Sequence, residues 1–301
     1  MSSAHGGQVV LSRETVELLP DDVFVLVDLV DHRFKDLRAA ERVFQLGEGD
    51  HPPLKSLYRS NLPVPATPFL GREQELEAVV VLLTDPDTRV LTLTGPGGTG
   101  KTRLALHAAA EASDGFPDGV FWVALAPLRD PGLLVPSIAQ ATRVSERPVE
   151  ELASSVATAL LGKKILVLLD NLEHLLPAAA TEIAALVTAC PTLRVLVTSR
   201  ERLQIGSERV WPVPTLEEAD SELLFMARAL SAQPDFVFCD EVHAICERLD
   251  RLPLAIELAA ARVRSLSAAA ILERLDDRLG LLTSKARDVD DRQRTLQAAI
   301  A

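Results

Sequence analysis

Residues 95–102 read Gly-Pro-Gly-Gly-Thr-Gly-Lys-Thr, and this segment constrains the fold of the chain more than any other. It fits the pattern G-x-x-x-x-G-K-[ST] and lies between an apolar strand-like run, Val90–Thr94, and a run of helical spacing. Glycines let backbone N–H groups curl around a phosphate, lysine reaches the β- and γ-phosphate oxygens, and a threonine hydroxyl can bind Mg²⁺. An ordinary glycine-rich turn is the alternative. The predicted nucleotide-binding residues here are Gly95, Gly97, Gly98, Thr99, Gly100, Lys101, Thr102 and Arg103.

Short apolar runs alternate with runs of helical spacing after residue 68. The strand-like runs are Val90–Thr94, Val120–Leu125, Ile165–Leu169 and Val195–Thr198, and the helix-like runs between them are Thr102–Ala112, Glu150–Leu161 and Ala178–Cys190. Uninterrupted β-branched runs suit parallel strands that are covered on both faces, so the alternation predicts a doubly wound α/β sheet. From Ser221 the strand pattern ends and helical spacing dominates, which predicts a helical subdomain. Its predicted helices are Ser221–Ser231, Asp240–Asp250, Leu254–Ser265 and Ala268–Arg278.

A proline-rich segment, residues 51–68, has no hydrophobic periodicity and is predicted to be a linker. Three short strand-like runs precede it, at Gln8–Leu11, Val23–Leu29 and Arg42–Gln45. We therefore expect four parts in the chain. They are a small α+β unit at residues 1–50, the linker at 51–68, a P-loop NTPase domain at 69–216 and the helical subdomain at 217–301.

The composition excludes several classes of function. The chain has 43 acidic and 31 basic residues, a formal net charge of −12, so we do not expect it to bind nucleic acid directly. Its three cysteines are scattered without a C-x-x-C spacing, which argues against a disulfide framework or a zinc site. No apolar run approaches the roughly 18 residues of a membrane-spanning helix, and no secretory signal begins the chain. The sequence predicts a cytoplasmic protein without a membrane anchor.

An apolar run that ends in a carboxylate, Lys164–Asp170, has the pattern of a Walker B segment. We expect Asp170 to hold Mg²⁺ together with Thr102; a helix N-cap is the alternative role for an aspartate at a strand end. The next residue is Asn171, at a position where hydrolytic P-loop enzymes often carry the carboxylate that orients water, so hydrolysis is expected to be slow. Glu173 is the candidate substitute for that base, and a helix start is its other interpretation.

Arg200 follows the strand-like run Val195–Thr198 at the carboxyl edge of the predicted sheet, where ligands bind in open α/β folds. It is predicted to contact a γ-phosphate, and a surface salt bridge is the alternative. Two further segments, residues 69–73 and 252–258, are candidates for nucleotide contact; for Pro253 a simple role at the first helical position is equally open. The predicted catalytic residues are Lys101, Asp170, Glu173 and Arg200, and the remaining predicted contacts are Gly71, Arg72 and Pro253.

Five segments in this order resemble the NB-ARC-like ATPases of the STAND class, namely residues 69–73, 95–102, 166–174, 197–201 and 252–259. The resemblance implies a switch in which ADP is buried between the sheet and the helical subdomain, and exchange for ATP opens the module for self-association or a protein partner. It also implies that Gly71 and Arg72 lie near the base, that Arg200 senses the γ-phosphate and that Pro253 packs on the nucleotide. Bacterial members belong to large transcriptional regulators. This chain has Arg251 where the family usually has glycine.

The first fifty residues have a separate resemblance, to the C-terminal end of a class III adenylate/guanylate cyclase domain. It rests on residues 4–12, 28–37 and 43–46. In that family the metal-binding aspartates precede this stretch, so cyclase activity is not expected. The chain is expected to be the middle part of a longer architecture, which in the ATPase family continues into a winged-helix domain.

Three functions are consistent with these patterns. The first is a nucleotide switch that binds ADP or ATP with Mg²⁺ and hydrolyses ATP slowly. The second is a steady ATPase, which requires a water-orienting base that Asn171 does not provide. The third is a non-catalytic interaction module that retains the phosphate-loop sequence but no longer depends on nucleotide.

Overall fold

The computed structural model describes residues 8–20, 24–32, 41–47, 49, 60–63, 65, 67–142, 144 and 152–275. In the N-terminal part, three antiparallel strands form a small sheet of order β1-β3-β2. The strands are β1 Val9–Ser12, β2 Leu26–His32 and β3 Glu41–Leu46, and the short helix α1 spans Arg13–Val16. Ser12 caps α1 by accepting a hydrogen bond from the Thr15 N–H. The three predicted strands of this part are present, each with its ends shifted by one to three residues.

A five-stranded parallel sheet forms the centre of the described chain, in the order β5-β6-β7-β4-β8. Its strands are β4 Val90–Thr94, β5 Gly119–Ala124, β6 Ile165–Asp170, β7 Arg194–Ser199 and β8 Glu208–Pro212. The register pairs Leu169 of β6 with Val197 of β7, and Thr94 of β4 with Ser199 of β7. The carboxyl end of β7 therefore lies between the glycine-rich loop after β4 and Asp170 at the end of β6.

Helices cover both faces of this sheet. Their bounds are α2 Glu73–Thr84, α3 Lys101–Glu111, α4 Leu134–Thr142, α5 Leu152–Leu160 and α6 Ala178–Ala189. Successive strand residues point to opposite faces, so Ile165 and Val167 pack in one core with α4, α5 and α6, and Leu166 and Leu168 pack in the other with α2 and α3. The predicted doubly wound α/β fold is confirmed.

The helical part begins at Glu218 and has its own apolar core. Its helices are α7 Glu218–Ala232, α8 Asp240–Arg248, α9 Pro253–Ala260 and α10 Ala268–Arg274. Phe225 and Ile256 are fully buried at the centre of this core. The predicted helix Leu254–Ser265 is shorter than expected, because α9 gives way to a 3₁₀ turn at Ala261–Arg264. The predicted end at Arg278 lies outside the described residues.

Three elements of the sheet domain were not predicted, namely β8, α2 and α4. Within the described chain, strand β8 pairs with β4 alone at the sheet edge, and all five of its residues are partly or fully exposed. An edge strand lacks the continuous apolar run that identifies a strand buried on both faces, so its sequence resembles a loop. Helix α2 carries Glu73 and Glu75 in its first turn, a helix-start signal that the sequence does contain.

Part of the predicted linker packs on the sheet. Ser60 forms a parallel bridge with Val120 of β5, and the Asn61 side chain accepts from the N–H of Trp122 at 2.5 Å and donates to its carbonyl at 2.8 Å. Leu62 is buried in the core beneath α2 and α3. Ordered packing therefore extends upstream of residue 69, where the domain boundary is predicted.

All three cysteines are free thiols. Burial raises the pKa of the Cys246 thiol to about 11. Among the described residues, no helix is long and apolar enough to span a membrane.

Candidate functional site

A cavity of about 460 Å³ opens at the carboxyl ends of β4, β6 and β7. One side, here called the sheet wall, is formed by the glycine-rich loop, by Lys101 and Thr102 in the first turn of α3, and by the strand ends that carry Asp170 and Thr198. The opposite side is formed by Leu216, Leu224, Pro253, Leu254 and Glu257, here called the helical wall. A third side is closed by Pro63, Pro65, Thr67, Pro68, Phe69, Leu70 and Arg72. The cavity therefore lies at the sheet edge where open α/β folds bind ligands.

The glycine-rich loop leads from β4 into the first turn of α3. Gly100 has a φ of +86° at the N-cap of α3, a left-handed conformation that favours glycine. The Lys101 Nζ donates to the carbonyls of Gly95 at 2.8 Å and Pro96 at 2.9 Å, so its ammonium group lies inside the loop. Burial lowers the pKa of Lys101, and the charge of Glu173 opposes that shift.

Asp170 is the centre of the sheet wall. Its Oδ1 accepts hydrogen bonds from the Thr102 hydroxyl at 2.7 Å and the Thr198 hydroxyl at 2.6 Å, so three elements converge on one carboxylate. Burial raises the pKa of Asp170, whereas these two hydrogen bonds lower it. The Thr198 hydroxyl also accepts from the backbone N–H of Asn171, which fixes the turn that follows β6. The predicted pair of Thr102 and Asp170 is therefore in direct contact.

Glu173 and Arg200 form an ion pair at the cavity, with 3.3 Å between the Glu173 Oε1 and the Arg200 Nε. Glu173 is placed by a 3₁₀ turn at Glu173–Leu175, and α6 starts only after Pro177. Arg200 follows the last residue of β7. Both side chains line the cavity, so each is within reach of a group bound beside Lys101.

Gly71 and Arg72 lie where the segment between the N-terminal part and α2 meets the helical part. Gly71 has a φ of +65°, and a Cβ there would lie 2.5 Å from the Cγ of Asp220 in α7. Arg72 is 4% exposed, lines the cavity and donates from Nη2 to the carbonyl of Pro214 at 2.7 Å. Burial lowers the pKa of Arg72, and the nearby charges of Glu75 and Asp220 oppose the shift. Its buried Nη1 has no hydrogen-bond acceptor among the described residues.

The helical wall meets the glycine-rich loop at the start of α9. The Leu254 N–H donates to the Gly98 carbonyl at 3.2 Å, and Pro253 lies 3.8 Å from the position of a Cβ on Gly100. Arg251 has a φ of +53°, a left-handed conformation in a residue that is not glycine. Its carbonyl accepts from the Leu216 N–H at 3.1 Å, which ties the turn before α9 to the segment before α7.

A family model described as the NB-ARC domain matches residues 72–232. The chain belongs to the NB-ARC domain family. The matched region includes the glycine-rich loop, Asp170 and Arg200, and Pro253 lies beyond its end. NB-ARC domains are P-loop NTPases, so nucleotide binding is a property of the family.

This NB-ARC chain is similar to parts of two longer curated proteins and to the fold of one solved structure. A protein of Mycobacterium tuberculosis whose name describes an HTH-type transcriptional regulator is 41% identical over 217 residues, which are 70% of this chain and 24% of that protein. An uncharacterized protein of the same species is 37% identical over 239 residues, which are 78% of this chain and 60% of that protein. The chain thus matches about a quarter of the first relative's length and 60% of the second's. The structure of Cdc6p from Pyrobaculum aerophilum has a TM-score of 0.53 at 15% identity and covers 70% of this chain and 65% of its own, a likeness of fold alone.

Most of the residues predicted for the site line one cavity in this NB-ARC chain. They are Arg72, Gly97, Gly98, Gly100, Lys101, Thr102, Arg103, Asp170, Glu173, Arg200 and Pro253. Three predicted contacts, Gly71, Gly95 and Thr99, are not among the cavity-lining residues, although the Gly95 carbonyl accepts from Lys101. Thr99 is fully buried and donates to the Pro96 carbonyl at 3.0 Å, so its side chain supports the loop from within.

Sequence reasoning missed Thr198 and Glu257. Thr198 lies in the segment that precedes Arg200, and the order of strands in the sheet is what brings it to Asp170. Glu257 is part of the 252–259 segment, one helical turn after Pro253, and it lines the cavity. No local pattern identifies either contact, because each partner is at least 28 residues away in sequence.

Proposed function

We propose that this NB-ARC chain is a STAND-type nucleotide switch that binds ADP or ATP with Mg²⁺ and hydrolyses ATP slowly. The observation that carries the proposal is the convergence of Lys101, the Thr102–Asp170–Thr198 hydrogen-bond chain and Arg200 on one cavity. Lys101, Arg72 and Arg200 place positive charge at this cavity in a chain whose net charge is −12. Such local charge, together with the backbone N–H groups of the glycine-rich loop, suits a polyphosphate.

The donor set of the sheet wall fits Mg²⁺. The Thr102 hydroxyl and the Asp170 carboxylate are hard oxygen ligands of the kind that Mg²⁺ prefers, and they lie 2.7 Å apart at the cavity. In the proposed function these two residues hold the cation. When bound, Mg²⁺ neutralises charge on the phosphate oxygens. Thr198 positions Asp170 for this role through its own hydrogen bond to the same carboxylate oxygen.

Slow hydrolysis follows from the side chains after Asp170. Asn171 cannot accept a proton as a carboxylate does, so the general base must come from elsewhere. Glu173 is the carboxylate we propose, and its Oε1 is held by Arg200 at 3.3 Å, so the pair must separate before that oxygen can orient water. If Arg200 instead contacts a γ-phosphate, that phosphate competes with Glu173 for the guanidinium. Arg200 can in this way report whether the bound nucleotide is ATP or ADP.

The other predicted contacts complete the proposed site. Gly71 and Arg72 are proposed to lie near the base, and Pro253 is proposed to pack on the nucleotide from the helical wall. In this proposal one nucleotide contacts both walls and so sets the distance between them. That distance would then depend on whether ADP or ATP is bound. The nucleotide would then control exposure of a surface for self-association or for a protein partner.

The biological context of the switch is part of the same proposal. One relative is named for HTH-type transcriptional regulation, and we propose a role for this chain in signal transduction or transcriptional control. The four predicted parts, at residues 1–50, 51–68, 69–216 and 217–301, are retained in this proposal. The cyclase-like origin of the first part also stays a prediction.

The test is to identify nucleotide released from the gently denatured chain, and then to titrate ADP and ATP, each with and without Mg²⁺, into the emptied protein by calorimetry. We expect co-purified ADP, affinity for both nucleotides and multiple-turnover hydrolysis well below about 1 s⁻¹. Asp170→Asn is the matched control, because it retains the shape of the side chain but removes the charge that holds the cation. This variant should bind ADP and lose the effect of Mg²⁺.

Two outcomes would contradict the switch. Turnover at an ordinary enzyme rate, about 10 s⁻¹, would favour a steady ATPase. The absence of released nucleotide, with no measurable affinity for ADP or ATP, would favour a non-catalytic interaction module.

A further inference from the structure

We propose that Arg103 is a positioning residue that joins three sides of the cavity and thereby slows the release of bound nucleotide. The inference rests on the proposed nucleotide-binding function and adds a mechanism of retention. It concerns a segment here called the strap, which consists of the described residues 60–63, 65, 67 and 68 and belongs to the predicted linker. The strap, the phosphate-loop helix α3 and the helical wall all meet at the Arg103 guanidinium.

The strap is anchored at its upstream end to the edge of the sheet. Asn61 makes two hydrogen bonds to the backbone of Trp122, and Leu62 is buried among core residues. Downstream of this anchor, the lining of the cavity includes Pro63, Pro65, Thr67 and Pro68. A proline-rich segment cannot continue the pairing with β5, because proline lacks the N–H that a ladder requires. The downstream end therefore needs a side chain to hold it.

Arg103 supplies that support. Its Nη2 lies 2.7 Å from the Thr67 carbonyl, 2.6 Å from the Thr67 hydroxyl and 2.6 Å from the Pro68 carbonyl. The two hydrogens of Nη2 are shared among these three oxygens of the strap. Because Arg103 is the third residue of α3, the strap is tied directly to the helix that opens with Lys101.

The second terminal nitrogen of the same guanidinium, Nη1, contacts the helical wall. Arg103 Nη1 lies 3.3 Å from the Oε1 of Glu257 in α9, and that oxygen also accepts from the Arg228 Nε of α7 at 3.0 Å. All three side chains are less than a third exposed, so solvent screens the network less than a surface pair. The two terminal nitrogens of a planar guanidinium can contact the strap and Glu257 at once, whereas the single nitrogen of a lysine cannot reach both.

This arrangement makes a specific kinetic prediction. In the proposed function a nucleotide lies between the strap, α3 and α9, so separation of these sides, which Arg103 holds together, would remove contacts that retain it. Loss of the network should therefore raise the dissociation rate and leave the association rate nearly unchanged, the usual pattern for contacts that retain a ligand. Substitution of a residue that only supports folding would lower the stability of the nucleotide-free protein. It would not raise the dissociation rate while leaving the association rate unchanged.

The experiment uses the full chain and stopped-flow fluorescence of an ADP analogue labelled on its ribose. Arg103→Ala should raise the dissociation rate about tenfold and Arg103→Lys by a smaller factor, with association rates within about twofold of the unmodified chain. Glu257→Gln and Thr67→Val should each raise it by about three- to fivefold. The double variant of Arg103→Ala and Glu257→Gln should release ADP no faster than Arg103→Ala alone, because both changes break one network. Arg264→Ala is the control, an exposed arginine of the same helical part.

The outcomes separate this inference from the proposed function. If the unmodified chain binds no ADP, the proposed function fails. A second result would also be decisive. If the chain binds ADP, and only Arg103→Ala releases it faster while Glu257→Gln and Thr67→Val release it at the unmodified rate, then Arg103 contacts the nucleotide directly. The positioning role would then be wrong. Unchanged release in all variants would also overturn it. Should Arg103→Ala fail to fold, the Glu257→Gln and Thr67→Val variants decide the question, with thermal unfolding as the check on their folding.

Discussion

The two walls of the cavity are built on different principles. In the sheet wall, Asp170 at the end of β6 accepts hydrogen bonds from Thr102 at the start of α3 and from Thr198 in β7. The register of these strands is fixed by their paired neighbours. The helical wall meets the phosphate loop through the Leu254 N–H and through the side chains around Glu257. From this difference we expect the sheet wall to keep its geometry and the helical wall to be the part that a nucleotide moves. A switch requires that combination.

The largest effect is expected from a change in the sheet wall. Lys101→Ala removes the ammonium group predicted to contact the β- and γ-phosphates, and should weaken ADP and ATP binding by about 100-fold or more, or about 2.7 kcal/mol. Calorimetric titration measures this loss. Lys163→Ala, at an exposed lysine between α5 and β6, is the matched control and should bind as the unmodified chain does. Equal affinity of the two variants would mean that the loop does not bind phosphate.

A second change tests how closely the helical part packs against the segment before α2. Gly71→Ala places a methyl group 2.5 Å from the Asp220 Cγ at a φ of +65°, so we expect a loss of about 2–3 kcal/mol in unfolding free energy. Gly162→Ala shares a left-handed φ, +75°, but meets nothing within 4 Å, and should cost about 1 kcal/mol. Urea denaturation of both variants separates backbone strain from the clash. Equal losses would show that Asp220 moves aside freely.

A third change relieves backbone strain in the turn before α9. Arg251→Gly permits the φ of +53° without a Cβ, and we expect a gain of about 0.5–1 kcal/mol in unfolding free energy. The substitution also removes an ion pair between Arg251 Nη2 and Glu218 Oε2 at 3.5 Å, a weak contact in an exposed setting. Arg251→Ala loses the ion pair but retains the strain, so it should be no more stable than the unmodified chain. A gain in Arg251→Ala equal to that in Arg251→Gly would refute the strain argument.

The smallest effect concerns pH and the helical part alone. A hydrogen bond to Glu222, with the charges of Glu218 and Glu247, raises the pKa of His243 above its ordinary value. A raised folded-state pKa means that the protonated His243 stabilises the fold fully below about pH 6.5 and that this contribution is lost as pH rises through the folded pKa. His243→Gln should therefore lower the thermal midpoint more at pH 6 than at pH 9.

Salt provides the check on this pH effect. The charges around His243 are partly exposed, so the difference between pH 6 and pH 9 should shrink in 0.5 M sodium chloride. A destabilisation by His243→Gln that is the same at both pH values would show that the imidazole acts by packing rather than by charge.

The sequence predicts the sheet wall better than the helical wall, for a physical reason. Buried parallel strands are continuous apolar runs, so β4 is predicted with its observed bounds, and the glycine-rich loop and Asp170 follow from short local patterns. The edge strand β8 lacks such a run and was missed.

Contacts between distant segments are beyond local patterns. Arg103 meets Glu257 across 154 positions in the chain, and that contact depends on how α9 docks rather than on any residue near Arg103. Arg251 lies between residues that a pattern identifies and contacts that only the structure shows. Its family position is usually glycine, and the observed φ of +53° explains why a residue without a Cβ suits that turn.

We expect the helical wall to move with the nucleotide while the sheet wall does not, and amide hydrogen exchange measures this difference residue by residue. The first N–H groups of a helix normally lack partners, so protection of Leu254 reports its bond to the Gly98 carbonyl. With ADP bound, we predict a protected Leu254 amide, and with a non-hydrolysable ATP analogue and Mg²⁺ we predict its faster exchange. The Leu172 amide, which donates to the Thr198 carbonyl, should exchange equally in both states. Equal protection of Leu254 with both nucleotides would contradict the account.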